Sequence, residues 1–178
     1  MKKTTLFIAI LFSAVSMVMS QGNVPAIKGT ASLTLNLNPV LSINVNGDVV
    51  IDYLTAEDYQ NGKSSELQVT TVTVASQGAF VVRVQAEDLS SGTNTIAASS
   101  IKVSAEAVSS NDVAVFDSEG TLEMGEGKKP LIQSTVGGIG KTYKVTYKGA
   151  GANEYMENLN SEGSQSYTTT VVYTISAS

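Results

Sequence analysis

Apolar residues return at every second position along most of this chain, a spacing that suits strands and not helices. Phe80, Val82 and Val84 alternate with Arg83 and Gln85, Ile101, Val103 and Ala105 with Lys102, Ser104 and Glu106, and Tyr143, Val145 and Tyr147 with Thr142, Lys144 and Thr146. Successive side chains of a strand point to opposite faces, so each run reads as a strand with one face buried. No apolar stripe with helical period extends over ten residues. The expectation is an all-β fold of roughly eight to ten strands arranged as a two-sheet β-sandwich.

Finer features follow from the same pattern. Leu41, Ile43 and Val45 precede Asn46-Gly47-Asp48, after which Val49, Ile51 and Tyr53 alternate. A hairpin with a three-residue loop would set Ile43 opposite Ile51 and keep one face apolar. From Leu67 to Val74 the phase slips at Thr70-Thr71, which predicts a bulge or burial on both faces. Tyr167, Thr169, Val171, Tyr173 and Ile175 read as one long final strand. Residues 55–61 read as a single helical turn, and 90–94, 117–120, 125–129, 137–140 and 149–163, rich in Gly, Ser, Asn and Asp, read as loops.

The first residues carry a different signal. Met-Lys-Lys is followed by an apolar run from Leu6 to Met19, broken only by Ser13 and Ser16. This is the pattern of a signal peptide, with cleavage expected after Ser20; the run is short for a membrane span of about 20 residues. The chain is therefore expected to be exported through the inner membrane, with residues 1–20 as signal peptide, 21–38 as an N-terminal arm and 39–178 as the sandwich domain. The absence of cysteine argues against a lipid anchor and leaves stability to burial and strand pairing. Losing the two leader lysines takes the net charge from −5 to −7. Such an acidic chain is not expected to bind nucleic acid or anionic membranes.

Motifs for chemistry are weak. The chain has no histidine, so the commonest metal ligand and near-neutral base are missing. Gly137–Thr142 ends like a phosphate-binding loop, but Thr135 stands where the first glycine belongs and a strand pattern follows. Ser99 and Lys102 have the spacing of a serine–lysine pair, which a strand would point to opposite faces. Asp112, Asp117, Glu119 and Glu123 lack the spacing of a calcium loop. The carboxylate pairs Glu57/Asp58 and Glu154/Glu157 would suit glycoside hydrolysis only if held about 5 to 9 Å apart across a cleft. No enzyme, metal or cofactor is expected.

The arm is more informative. Ala31, Leu33, Leu35 and Leu37 alternate with Ser32, Thr34, Asn36 and Asn38, and Pro39 then interrupts the run. It reads either as the first strand of the sandwich or as a donor strand, exchanged between subunits, that completes a neighbour's sheet. The segment TASLTLNLNPVLSINV at 30–45 and the ending SYTTTVVYTISAS at 166–178 resemble those of exported fimbrial, pilin-type subunits and related cell-surface β-sandwich proteins of Gram-negative bacteria. That resemblance implies an immunoglobulin-like sandwich lacking one strand, with Ala31, Leu33, Leu35 and Leu37 as donor side chains. It also implies other copies or related subunits as partners, together with a periplasmic chaperone and an outer-membrane usher, and a final place at the cell surface in a fibre supporting adhesion. The chain departs from that pattern in having no disulfide and in carrying Tyr173 in place of a penultimate tyrosine. The alternative reading is a monomeric, secreted ligand-binding or adhesive sandwich whose sugar platform would rest on Tyr143, Tyr147, Tyr155 or Tyr167.

Overall fold

Valine is the commonest residue of the strands and threonine is frequent there, because β-branched side chains pack well on a pleated surface. A computed structural model describes residues 28–65, 68–108, 114–115, 120–159 and 163–178, with 114–115 described for the backbone alone. Two units divide the chain, Met1–Asn36 and Leu37–Ser178. In the first, residues 28–36 form no helix or strand and are exposed.

The second unit is antiparallel β. Its strands are β1 Leu41–Asn46, β2 Thr70–Ser76, β3 Phe80–Ala86, β4 Leu89–Ser91, β5 Asn94–Ile96, β6 Ile101–Ala107, β7 Ala114–Val115, β8 Leu122–Glu123, β9 Lys129–Ser134, β10 Gly138–Gly149 and β11 Val171–Ala177. One sheet has the order β1-β2-β10-β6-β8, a second β11-β3-β9-β7, and β4 pairs with β5 in a small ribbon. One apolar core is drawn from both large sheets: Val72 and Val74 from β2, Tyr143 and Val145 from β10, Phe80, Val82 and Val84 from β3, and Ile132 from β9. Phe80 meets Tyr143 edge-on at 6.5 Å between ring centres, joining the sheets.

Two crossings between the sheets lie side by side. Residues 77–79 carry the chain from β2 to β3, where the Ser76 hydroxyl donates to the Gly78 carbonyl at 2.9 Å. Residues 135–137 carry it from β9 to β10, where the Ser134 hydroxyl donates to the Val136 carbonyl at 2.8 Å. Gly137 presses so closely on Gln77 that a β-carbon there would lie 2.4 Å from the Gln77 backbone. Just beyond, the pairing of β10 with β2 shifts register between Gly138 and Lys141. Lys141 turns inward beneath Gly138, with its amine 3.3 Å from the Ser134 hydroxyl and 5.9 Å from the Phe80 ring centre.

Several local expectations change. The hairpin joining 41–45 to 49–53 does not form; β1 pairs with β2, setting Ile43 opposite Val74. Gly47 adopts φ +103° against the Val69 and Thr70 backbone, and the Thr70 hydroxyl donates to its carbonyl, so the chain leaves the sheet there. Val49 and Ile51 then pack one face on the core without pairing. The phase slip at Thr70-Thr71 marks the start of β2, which alternates regularly in burial; the register shifts fall in β10 and between β3 and β9. The final strand begins only at Val171, with Thr168 bridged to Ser90. Residues 90–94 belong to the β4–β5 ribbon, and β10 begins at Gly138 within the expected 137–140 loop. The helical turn is α1, Ala56–Asn61, closed by a capping box between Thr55 and Asp58.

Replacing Phe80 with alanine is expected to lower stability by about 3–5 kcal/mol, measured by urea unfolding. Val172→Ala, on the outer face of β11, is expected to change it by less than about 1 kcal/mol. Equal losses would contradict the inward assignment of Phe80.

Candidate functional site

The core is open along one seam. β1 ends the five-stranded sheet and β11 ends the four-stranded sheet, and these two edges lie beside one another. Neither Leu-Ser-Ile-Asn-Val-Asn nor Val-Val-Tyr-Thr-Ile-Ser-Ala contains a charge or a proline. Natural edge strands are usually blunted by such residues, by shortness or by a cover, because an unpaired edge is a template for another strand. The opposite edges, β7 and β8, are two residues each.

Backbone alternation decides which groups the seam presents. In an antiparallel pair, every second residue exchanges both hydrogen bonds with its partner, and the others point away. The Ser178 amide donates to the Ala79 carbonyl at 3.1 Å, so by alternation Val172, Thr174 and Ser176 face β3. Val171, Tyr173, Ile175 and Ala177 therefore direct their amides and carbonyls outward. On β1, the Gln77 amide donates to the Val40 carbonyl, so Ser42, Asn44 and Asn46 face β2 and Leu41, Ile43 and Val45 face outward. Among the described residues, no backbone hydrogen bond joins β1 to β11.

The same odd-numbered residues turn their side chains toward the core. Ile43, Val171, Tyr173 and Ile175 pack against it yet stay partly exposed, while Leu41 and Val45 keep 46% and 41% of their surface in solvent. Beside them, one strand further into each sheet, lie their register partners Val72, Val74, Val82 and Val84, all buried. Leaving the exposed parts of Leu41, Ile43, Val45, Val171, Tyr173 and Ile175 wet forgoes about 25 cal/mol per Å² of burial. Among the described residues, the seam thus offers backbone donors and acceptors that pair with no strand, above an apolar floor of these half-exposed side chains, the two things an added strand supplies partners for.

At the floor the Tyr147 and Tyr173 hydroxyls contact each other, tying the sheets together. Burial, and then the neighbouring Tyr147, push the Tyr173 phenol far above its ordinary value.

Sequence reasoning singled out Ala31, Leu33, Leu35 and Leu37 as candidate donor side chains and missed the seam. Leu33, Leu35 and Leu37 are 96%, 77% and 79% exposed, Ala31 is exposed too, and residues 28–40 belong to no strand. The arm is thus not the first strand of the sheet; β1 is. The only hint of the seam in the sequence is that 41–46 and 171–177 are strand-like and uncharged.

Other candidates fare differently. Tyr143, Tyr147 and Tyr155 are buried, so their faces are closed to a sugar, and Tyr167, partly buried, donates its hydroxyl to the Asn158 carbonyl. Asp58 is engaged: Lys63 at 2.8 Å, then the Leu54 and Thr55 amides, hold its carboxyl well below the usual carboxylate range, and Asp58 in turn raises Lys63. Such a carboxylate cannot act as a general acid near neutral pH. Glu154 and Glu157 are exposed on a turn. Strand β10 follows Gly137, where a phosphate-binding loop would need a helix, and Lys102 is exposed on β6. Asp112, Asp117 and Glu119 lie outside the described residues, among which no cluster of three acids is placed to hold a metal. An open groove of about 660 Å³ beside Glu87, Glu126 and Thr169 has no aromatic lining.

The elevated Tyr173 value has a consequence for alkaline stability. A phenol kept neutral in the fold stabilises fully below the unfolded value near 10, and this stabilisation is lost as pH rises beyond it, by about 1.4 kcal/mol per unit. Tyr173→Phe is expected to flatten the decline of urea stability above pH about 10; an unaltered decline would mean that Tyr173 ionises normally. No family model matches the chain, and no curated protein matches it.

Proposed function

We propose that this protein is an exported structural subunit of a bacterial surface fibre or fimbria, assembling by β-strand complementation and supporting adhesion. The observation that carries this reading is the seam between β1 and β11, two adjacent uncharged edges over a partly exposed apolar floor. Its occupant is the arm of a second copy, which adds a strand to the outer edge of β11.

The strand order supports an immunoglobulin-like two-sheet sandwich lacking one strand. With β1, β2, β10 and β6 as the first four-stranded layer A-B-E-D, β3 and β11 take the places of C and F. The missing strand is then G, which flanks F where β11 has its free edge. The arm fits this vacancy by number and parity. Val171, Tyr173, Ile175 and Ala177 face outward with core-directed side chains, and Ala31, Leu33, Leu35 and Leu37 repeat at the same interval. An antiparallel register pairing Ala31 with Ala177 and Leu37 with Val171 would satisfy backbone and side chains together. Running that way, the arm leaves the seam at the end where β11 begins, and its own domain starts there, so copies can follow one another without competing for one face.

Export precedes assembly in this reading. The lysines and apolar run at the start direct the chain across the inner membrane, and the open seam accounts for the chaperone and usher that such subunits use before reaching the cell surface.

Sedimentation and electron microscopy of the exported chain test the proposal. Wild type is expected to form filaments or larger oligomers, and Leu33→Asp/Leu35→Asp, which puts charges on the apolar face of the arm, is expected to remain a folded monomer. Two buried leucines contribute about 1.5–3 kcal/mol each, so assembly should weaken by at least about a hundredfold. A wild-type chain monomeric at all concentrations, or a variant that assembles as well as wild type, would sink the idea.

A further inference from the structure

Among the described residues, one end of the domain exposes no charged side chain, Lys141 being buried beneath Gly138. Across the first sheet Leu41, Ser76 and Gly138 lie in one row, and across the second Ala177, Phe80 and Ser134 lie in another, so the crossings 77–79 and 135–137 share that end. Val108 lies toward the same end, its backbone amide donating a hydrogen bond to the Thr142 carbonyl. Described residues 38–42, 76–79, 133–140 and 177–178 include no charged side chain. They expose Ile139 at 89% and Val136 at 53%, next to Val108 at 64%. Asp48, Asp52, Glu87, Asp88 and Glu126 gather toward the other end, after β1 and β3. In an acidic chain, an uncharged apolar end is where another copy meets the least repulsion.

This end is also braced. Gly137 is seated on Gln77, the Gln77 amide donates to the Val40 carbonyl, and Ser76 and Ser134 close the turns on either side. A surface held in shape before contact loses little conformational entropy on docking.

The occupant follows from the chain path. Only Asn38, Pro39 and Val40 separate Leu37 from Leu41, the first residue of β1. Extended chain of that length spans at most about 14 Å. When the arm lies in a neighbour's seam, the uncharged end of its own domain is therefore held against that neighbour. We infer that Val136 and Ile139 form a second contact between successive subunits, docking on the opposite end of the copy that holds the arm, where Val50 and Leu54 are exposed. This contact rests on the strand-exchange reading and adds to it: the arm joins the subunits, and the tip sets the angle between them.

The two ideas separate in one set of measurements. A synthetic peptide of residues 29–38 is titrated against the monomeric Leu33→Asp/Leu35→Asp chain, with and without Ile139→Glu or the milder Ile139→Ser. Peptide affinity is expected to stay within about twofold, because Ile139 lies outside the seam. In the chain with a wild-type arm, Ile139→Glu or Val136→Glu is expected to raise the concentration needed for assembly about tenfold each, and filaments that form should bend more freely in micrographs. Unchanged assembly and stiffness would overturn the tip contact while leaving strand exchange intact. Loss of peptide binding in Ile139→Ser would overturn it too, by showing that the residue shapes the seam. If the peptide does not bind and wild type does not assemble, both readings fall. Binding of phosphatidylcholine vesicles by a non-assembling wild type, abolished by Ile139→Glu, would assign the tip to a membrane instead.

Discussion

A β-strand has hydrogen-bonding groups along both sides, and a sheet can stop only where the last row meets solvent, a cover or another strand. Much of this domain's architecture can be understood as the management of four such edges. Two are reduced to β7 and β8, two residues each, and two are left long, adjacent and uncharged. The long pair bounds a floor of half-exposed side chains, among them Ile43, Val171, Tyr173 and Ile175, that burial would stabilise. Edge and floor present the same residues, because in an antiparallel pair the outward-facing backbone of β11 belongs to residues whose side chains turn inward. A strand that satisfies the backbone therefore also covers the floor.

The remaining structure holds those edges in place. Phe80 against Tyr143, and Tyr147 against Tyr173, connect the two sheets at separate points of the core. The Phe80 pair sits near the crossings, where glycines let two backbones approach and let the Lys141 stem pass beneath Gly138. At the other end, Tyr53 donates to the Ala150 carbonyl and packs on Tyr59 and Tyr155, fastening the chain around α1 to the end of β10. Both ends of the open seam are thus attached to packed structure. A preformed groove loses less conformational entropy on receiving a strand than a flexible one would.

Apolar alternation made the inward faces of β3, β6 and β10 legible, since Phe80, Val82, Val84, Val103, Tyr143 and Val145 are each dictated by period two and all are buried. It misled at 49–53, where the same alternation belongs to an unpaired segment with one face on the core, because burying one face of an extended chain does not require a ladder. It also overran the final strand, since Tyr167 and Thr169 continue the period while their neighbour Thr168 pairs with Ser90 instead of β3. The alternating run Ala31, Leu33, Leu35 and Leu37 stood out by pattern alone, but the seam between β1 and β11 did not.

By itself the sequence determined that the chain is of all-β class, that its charge is acidic, that its core is aliphatic and tyrosine-bearing, and that a run of alternating leucines precedes Pro39. These are local properties, set by side-chain chemistry and spacing. Only the tertiary structure decided which strands became edges, that β1 and β11 lie together, and that the uncharged residues around 40, 77, 108 and 136–140 share one end. Strand pairing joins residues far apart in the chain, such as Ala177 with Phe80, and an edge is defined by the lack of a neighbour, which no local pattern encodes.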